Sequence, residues 1–208
     1  MTSLKSKDKK VLLALGGWND SAGSKYSKLV NNPASRKAFI KHAVEFLINN
    51  NFDGLDLDWE YPKCWQVDCN KGPESDKEAF AAWIKELHFA LKPAGLLLTA
   101  AVSPSNKVID AGYDIPALDK YLDYVSVMTY DYHGQWDKQT GHVAPMYQHQ
   151  EDQNTFFNTV VLDIHFMLIG LFTELHCPLL AGWRSEKEQA DHGNAHVRAV
   201  LHTHQHRK

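Results

Sequence analysis

Four short apolar runs separated by segments of helical period constrain this 208-residue chain more than any other feature. Val11 to Leu15, closing on Gly16-Gly17, is the first; Gly54 to Trp59, Leu96 to Val102 and Tyr124 to Thr129 follow. Runs of this length, bounded by glycine and polar residues, read as buried strands. Between the first two, Pro33 to Asn49 repeats Phe39, Ile40, Ala43, Val44, Leu47 and Ile48 at helical spacing, with Asn32 as cap and Pro33 as first helical residue. Ser75 to Leu91 sets Phe80, Trp83, Ile84, Leu87 and Leu91 on one face, and Ser75 with Glu78 forms a capping-box signature. A short helix is expected over Ile115 to Tyr121. Apolar strands joined by amphipathic helices imply a parallel sheet with helices outside it. The class is α/β, either a doubly wound sheet or part of a (β/α)8 barrel.

Composition narrows the function classes. Hydrophobic residues make up 44% and charged residues 23%, which suits a globular domain with one sizeable core. A net charge of −3 argues against nucleic acid or an anionic membrane surface as partner. The longest apolar stretch, Val160 to Leu175, is broken by Asp163, His165 and Glu174, so no membrane span is expected. The opening residues MTSLKSKDKK are too polar for a secretory signal. Cys64 and Cys69 lie close together in a polar loop, CWQVDC, leaving open a local disulfide in an oxidising compartment or two free thiols; Cys177 is then unpaired.

The second strand carries the chemistry. Alternation puts Asp56, Asp58 and Glu60 on one face and Leu55 and Leu57 on the other, with Trp59 turned to the core. Three carboxylates in a row repel one another and are costly to bury, so a purely structural core does not select them. Crowded carboxylates share protons, and their pKa values spread apart until one stays protonated near neutral pH. Glu60 stands at the C-terminal end of its strand, where barrels keep their active sites.

Asp53, Asp56, Asp58 and Glu60 match, position for position, the Asp-x-x-Asp-x-Asp-x-Glu pattern of glycoside hydrolase family 18. Leu13-Ala14-Leu15-Gly16-Gly17-Trp18 resembles that family's third-strand motif, and Met128-Thr129-Tyr130-Asp131 its sixth-strand motif. Leu97 to Pro104 is similar to its fifth strand, and Tyr132 to Pro145 also resembles the family. Residues from about Lys10 to Tyr147 look like a chitinase, most like the arthropod type, a narrower likeness that CWQVDC supports.

The resemblance implies a chitinase-type (β/α)8 barrel of which about strands 3 to 6 are present. It implies substrate-assisted retaining hydrolysis of β-1,4 N-acetylglucosamine linkages, an exception to the usual pair of enzyme carboxylates. Glu60 is the expected acid. Asp58 is expected to orient the substrate's 2-acetamido group, Asp56 to share a proton with Asp58, Tyr130 to hydrogen-bond the acetamido carbonyl, and Asp131 to position the sugar. Trp18, Tyr61, Met128 and Trp136 are the expected substrate-binding residues, the two exposed tryptophans as stacking platforms. Asp53, Gly16 and Gly17 complete the motifs. Chitin or N-acetyl-chitooligosaccharides are the expected partners, and no cofactor or metal is expected. An inactive chitin lectin, an endo-β-N-acetylglucosaminidase and a fragment without activity are the competing readings. Family members are usually secreted, so the parent protein is expected to be extracellular.

Two features fit less directly. Asn19-Asp20-Ser21 is a glycosylation sequon beside the expected cleft and is expected to stay mostly unoccupied. From Asn158 onward the strand–helix rhythm fades, and seven of the twelve histidines lie from His165 to the end. We therefore expect a catalytic unit over residues 1–157 and a divergent tail over 158–208. His192, His196, His202, His204 and His206 read as solvated, and Trp183 does not sit in a family-like strand. A (β/α)8 barrel takes roughly 250 residues. The expected origin is a truncated or misassembled gene product, which transcript reads continuous across the junction would overturn. An open half-barrel is expected to present two sheet edges and an apolar inner face, inviting self-association.

Overall fold

The computed structural model describes residues 9–152 and 154–160. Four strands, β1 (Leu12–Gly16), β2 (Gly54–Asp58), β3 (Leu97–Val102) and β4 (Tyr124–Val127), form one sheet in the order β1-β2-β3-β4, every pair parallel. The order never reverses, so the sheet lacks the switch point of a doubly wound fold and is a segment of barrel wall. Helices α1 (Lys25–Val30), α2 (Pro33–Asn49), α3 (Ser75–Leu91), α4 (Asn106–Gly112) and α5 (Ile115–Tyr121) fill the connections. Both α1 and α4 were unforeseen, being one to two turns long with little periodicity of their own.

Register decides which face does what. Leu15, Leu57 and Ala100 align across the first three strands, and Ala100 pairs with Val125. This row packs beneath the helices, with Leu55, Leu57, Leu98, Val102, Val125 and Val127 all buried. The opposite face aligns Ala14, Asp56, Thr99 and Tyr124, then Gly16 with Asp58 and Ala101 with Ser126. The inner face is thus mixed, with Leu12, Leu97 and Tyr124 beside polar groups, and is more polar than expected because β2 and β3 turn carboxylates and a hydroxyl toward it.

Helix α3 anchors the outer layer through buried Phe80, Trp83, Ile84, Leu87 and Leu91, each worth about 1.5–3 kcal/mol of apolar transfer. Trp59 is buried as expected and meets Tyr26 and Phe80 at ring-centroid distances of 5.8 and 6.0 Å. Asn32 caps α2 by accepting from the amides of Ala34 and Ser35. The Ser75 capping box does not form: Glu74 holds the cap position and Ser75 is already helical. Its neighbour Asp76 is wholly buried, where its carboxylate accepts from Ser27 Oγ, Asn31 Nδ2, Trp65 Nε1 and the Lys63 amide. Those four donors draw the start of α3 inward and tie it to α1 and to the loop after β2. Arg36 makes a second long-range tie, a two-pronged contact from α2 to Glu86 on α3.

Among the described residues no helix is long and apolar enough to cross a membrane. Trp183 and the five tail histidines lie outside the described residues.

Candidate active site

The site is built at the C-terminal ends of the strands. Strand β1 ends at Gly16 and turns away through Gly16 and Gly17, whose φ angles are +121° and +88°. Glycine is required at position 16, since an added Cβ would sit 2.1 Å from the Asp58 carbonyl oxygen. The Gly17 amide donates to that same oxygen at 2.7 Å. The two glycines therefore bring the Trp18 loop against the end of β2.

Along β2, Asp56 and Asp58 share the inner face, and Glu60 follows just past the strand. Asp56 Oδ1 accepts from Thr99 Oγ1 on β3. Asp58 Oδ1 is buried and has no hydrogen-bond partner among the described residues. Burial, and then the charge of Asp56, push the Asp58 carboxyl up to about 6. Glu60 is pushed up to about 7, first by burial and then by the charge of Asp58, with Asp131 adding to it and the Tyr61 hydroxyl bond opposing. Burial, then Asp58, Glu60 and Asp131, raise the Tyr130 phenol above its ordinary value. Asp58, Glu60, Tyr130 and Asp131 therefore form one electrostatic group, assembled from the ends of β2 and β4.

The remaining expected residues divide. Trp18 and Trp136 are 46% and 64% exposed, as stacking platforms need to be, and the Trp136 ring folds back over Gly134. Tyr61 is 6% exposed and interacts with Glu60 and Ser103, so it is a buried partner of the acid. Met128 is half-buried and packs on the core. Asp53 lies at the other end of β2, where its carboxylate accepts from the Val11 amide at 2.8 Å and faces Lys10. Its place is the start of the β1–β2 pairing. Cys64 and Cys69 form a disulfide that closes the loop following Glu60. Among the described residues no group of three or more His, Cys, Asp or Glu side chains could hold a metal ion.

Sequence reading missed Thr99, Ser21 and Asp76. Each is an ordinary polar residue whose importance depends on a partner at least 39 positions away. Alternation alone could have placed Thr99 on the inner face, but only register sets it opposite Asp56.

Two raised carboxyls make stability depend on pH. Their folded values, about 6 and about 7, exceed the ordinary 3.8 and 4.5. The favourable contribution is complete below about pH 4 and is lost as pH rises through 6 to 7. Asp58→Asn should therefore stabilise the chain at pH 8, by about 1–2 kcal/mol after allowing for solvent screening, and change little at pH 4. Urea midpoints at both pH values check this; an equal gain at both would show the effect is not electrostatic.

The chain is similar to known proteins over most of its length. Drosophila melanogaster probable chitinase 10 is 61% identical over 158 residues, covering 76% of this chain and 7% of that protein. Drosophila melanogaster probable chitinase 2 is 47% identical over 137 residues, covering 66% of this chain and 27% of that protein. The solved catalytic domain 2 of the Ostrinia furnacalis Group II chitinase, a mutant in complex with a chitooligosaccharide, superposes with a TM-score of 0.79. It is 59% identical, over 81% of this chain and 44% of that one. The chain thus spans less than half the length of these relatives. The sequence pattern of glycosyl hydrolases family 18 matches residues 1–164, and the strands, their order and the acidic strand end agree with it: this chain belongs to glycosyl hydrolases family 18.

Proposed function

We propose that the site hydrolyses β-1,4 N-acetylglucosamine linkages in chitin and N-acetyl-chitooligosaccharides, with the substrate's acetamido group as nucleophile. The carrying observation is a Glu60 that keeps its proton to about pH 7 beside an Asp58 oxygen that is buried and unpartnered. A protonated Glu60 gives its proton to the glycosidic oxygen as the bond to the anomeric carbon breaks. The acetamido oxygen attacks that carbon, forming an oxazolinium ion. The unpartnered Asp58 oxygen suits the acetamido N–H, and the charge of Asp58 offsets the developing positive charge. Asp56, held by Thr99, sets its charge beside Asp58. Tyr130 donates to the acetamido carbonyl, Asp131 positions the sugar, and Trp18 and Trp136 stack on neighbouring rings. Water then gives a proton to Glu60 and attacks the anomeric carbon, regenerating the acid.

The relatives named as chitinases and the solved chitooligosaccharide complex support this substrate class. The test is release of a fluorophore from an N-acetyl-chitooligosaccharide conjugate by the purified chain. Release with retained anomeric configuration is expected. A folded chain that binds the sugar without cleaving it would favour a lectin role and overturn hydrolysis by this chain.

Two further properties belong to the same reading. The Cys64–Cys69 disulfide favours an oxidising, extracellular setting. The outer edges of β1 and β4 take no strand among the described residues, which favours self-association. Light scattering should give a mass above one chain, and a sharp monomer at micromolar concentration would exclude it.

A further inference from the structure

Beyond Gly16, β1 no longer runs beside β2, and the end of β2 that bears Glu60 loses its strand partner. A backbone amide left there would be an orphan donor in a poorly solvated place. The Ser21 side chain occupies that place. Its hydroxyl accepts from the Glu60 amide at 2.9 Å and donates to the Asp58 carbonyl at 3.3 Å. One hydroxyl can do both, having one proton and two lone pairs. Ser21 is 1% exposed, and its own amide donates to the Gly17 carbonyl at 2.9 Å. The loop is pinned on its far side too: Asp20 accepts from Lys25 and from the hydroxyl of Tyr26, whose ring packs on Trp59. Residues 58 to 60 are therefore gripped twice, by the Trp59 ring in the core and by Ser21 at the backbone. The serine of the Asn19-Asp20-Ser21 sequon thus has a structural occupation that needs no glycan at Asn19.

We infer that Ser21 is a positioning residue, its hydroxyl replacing the missing strand partner and fixing the backbone from which the Glu60 carboxyl is presented beside Asp58. This rests on the proposed role of Glu60 as the acid, but its geometry does not. With the hydroxyl removed, the strand end can relax and the Glu60 carboxyl can swing toward water and away from Asp58. Misplacing an acid by about an ångström costs on the order of 100-fold in rate, with substrate affinity little changed.

The test uses the full chain carrying ¹³C-labelled glutamate, so that Glu60 titration is read by NMR whether or not the chain turns over chitin. In Ser21→Ala the Glu60 midpoint should fall from about 7 toward its ordinary 4.5. Ser27→Ala is the control, because it also removes a buried hydroxyl but one that serves Asp76. It should lower stability and leave the Glu60 midpoint in place. Where turnover is measurable, kcat should fall at least about 10-fold for Ser21→Ala with KM within about two-fold. Wild-type hydrogen exchange gives a readout that needs no variant: the Glu60 amide should be protected like the β2 ladder. The inference is overturned by a Glu60 midpoint unmoved in Ser21→Ala, by an equal shift in Ser27→Ala, or by a Glu60 amide that exchanges like an open loop. Absence of turnover with the NMR results as expected overturns the hydrolytic reading alone.

Discussion

Glu60→Gln should reduce release of the fluorophore at least about 10³-fold while leaving the unfolding midpoint within about 1 kcal/mol of wild type. Glutamine keeps the size and hydrogen-bonding shape of a protonated glutamate but has no acidic proton to give the leaving oxygen. The fold should not suffer, because Glu60 lies beyond the last residue of β2 and its carboxyl is raised by burial. At alkaline pH the variant should even be slightly more stable, since a buried charge has been removed. The pH profile of the wild type supplies the same argument from the other direction. The protonated form of an acid near 7 is lost as pH rises through that value, so the rate should decline on the alkaline side about there. Residual activity in Glu60→Gln above about one part in 100 would assign the acid to another group, with Asp58 the carboxylate that acts on it most strongly.

The largest loss of stability is expected from Asp76→Ala, at about 3–5 kcal/mol. Four donors from α1, from the loop after β2 and from Trp65 converge on that carboxylate, and Asp76 is completely shielded from water. Alanine would strand Ser27 Oγ and Trp65 Nε1 without their carboxylate acceptor, whereas Asn31 Nδ2 keeps the Ser27 carbonyl, and would leave a cavity besides. Asp76→Asn should cost less, since its amide oxygen still accepts, though its NH2 group faces donors. Urea unfolding followed by circular dichroism measures both variants. A loss below about 1 kcal/mol for the alanine variant would mean that water replaces the carboxylate. Because the same carboxylate holds the Lys63 amide and the Trp65 indole, the loop leaving Glu60 should loosen in both variants. Faster amide exchange over residues 61–69 would report it.

Much of this architecture is written in short-range pattern. Pro33–Asn49, Ser75–Leu91 and Ile115–Tyr121 occupy the residues their apolar spacing indicates, and the Asn32 cap of the first forms as expected while the Ser75 capping box does not. The strands agree with the apolar runs to within two residues at each end. Period-two alternation correctly sends Leu55, Leu57 and Trp59 to the core and leaves Asp56 and Asp58 together on the other face. The acidic motif is equally local, so the resemblance it carries survives intact. Where local signal was thin, as in α1 and α4, the elements went unseen.

What only the tertiary structure decided is everything that depends on register and on distant partners. The uninterrupted order β1-β2-β3-β4 separates a barrel wall from a doubly wound sheet, and no single strand's sequence encodes its neighbours. The polar strip on the inner face arises because pairing aligns Asp56 with Thr99, a coincidence of two separate segments. Asp53 fell to the far end of β2 although it belongs to the same motif as Glu60, since an extended strand moves about 3.3 Å per residue. Ser21 and Asp76 look like ordinary polar residues until folding brings each to its distant donors and acceptors. Backbone periodicity is local and legible in the sequence, whereas the satisfaction of buried polar groups is settled only when the whole chain closes around them.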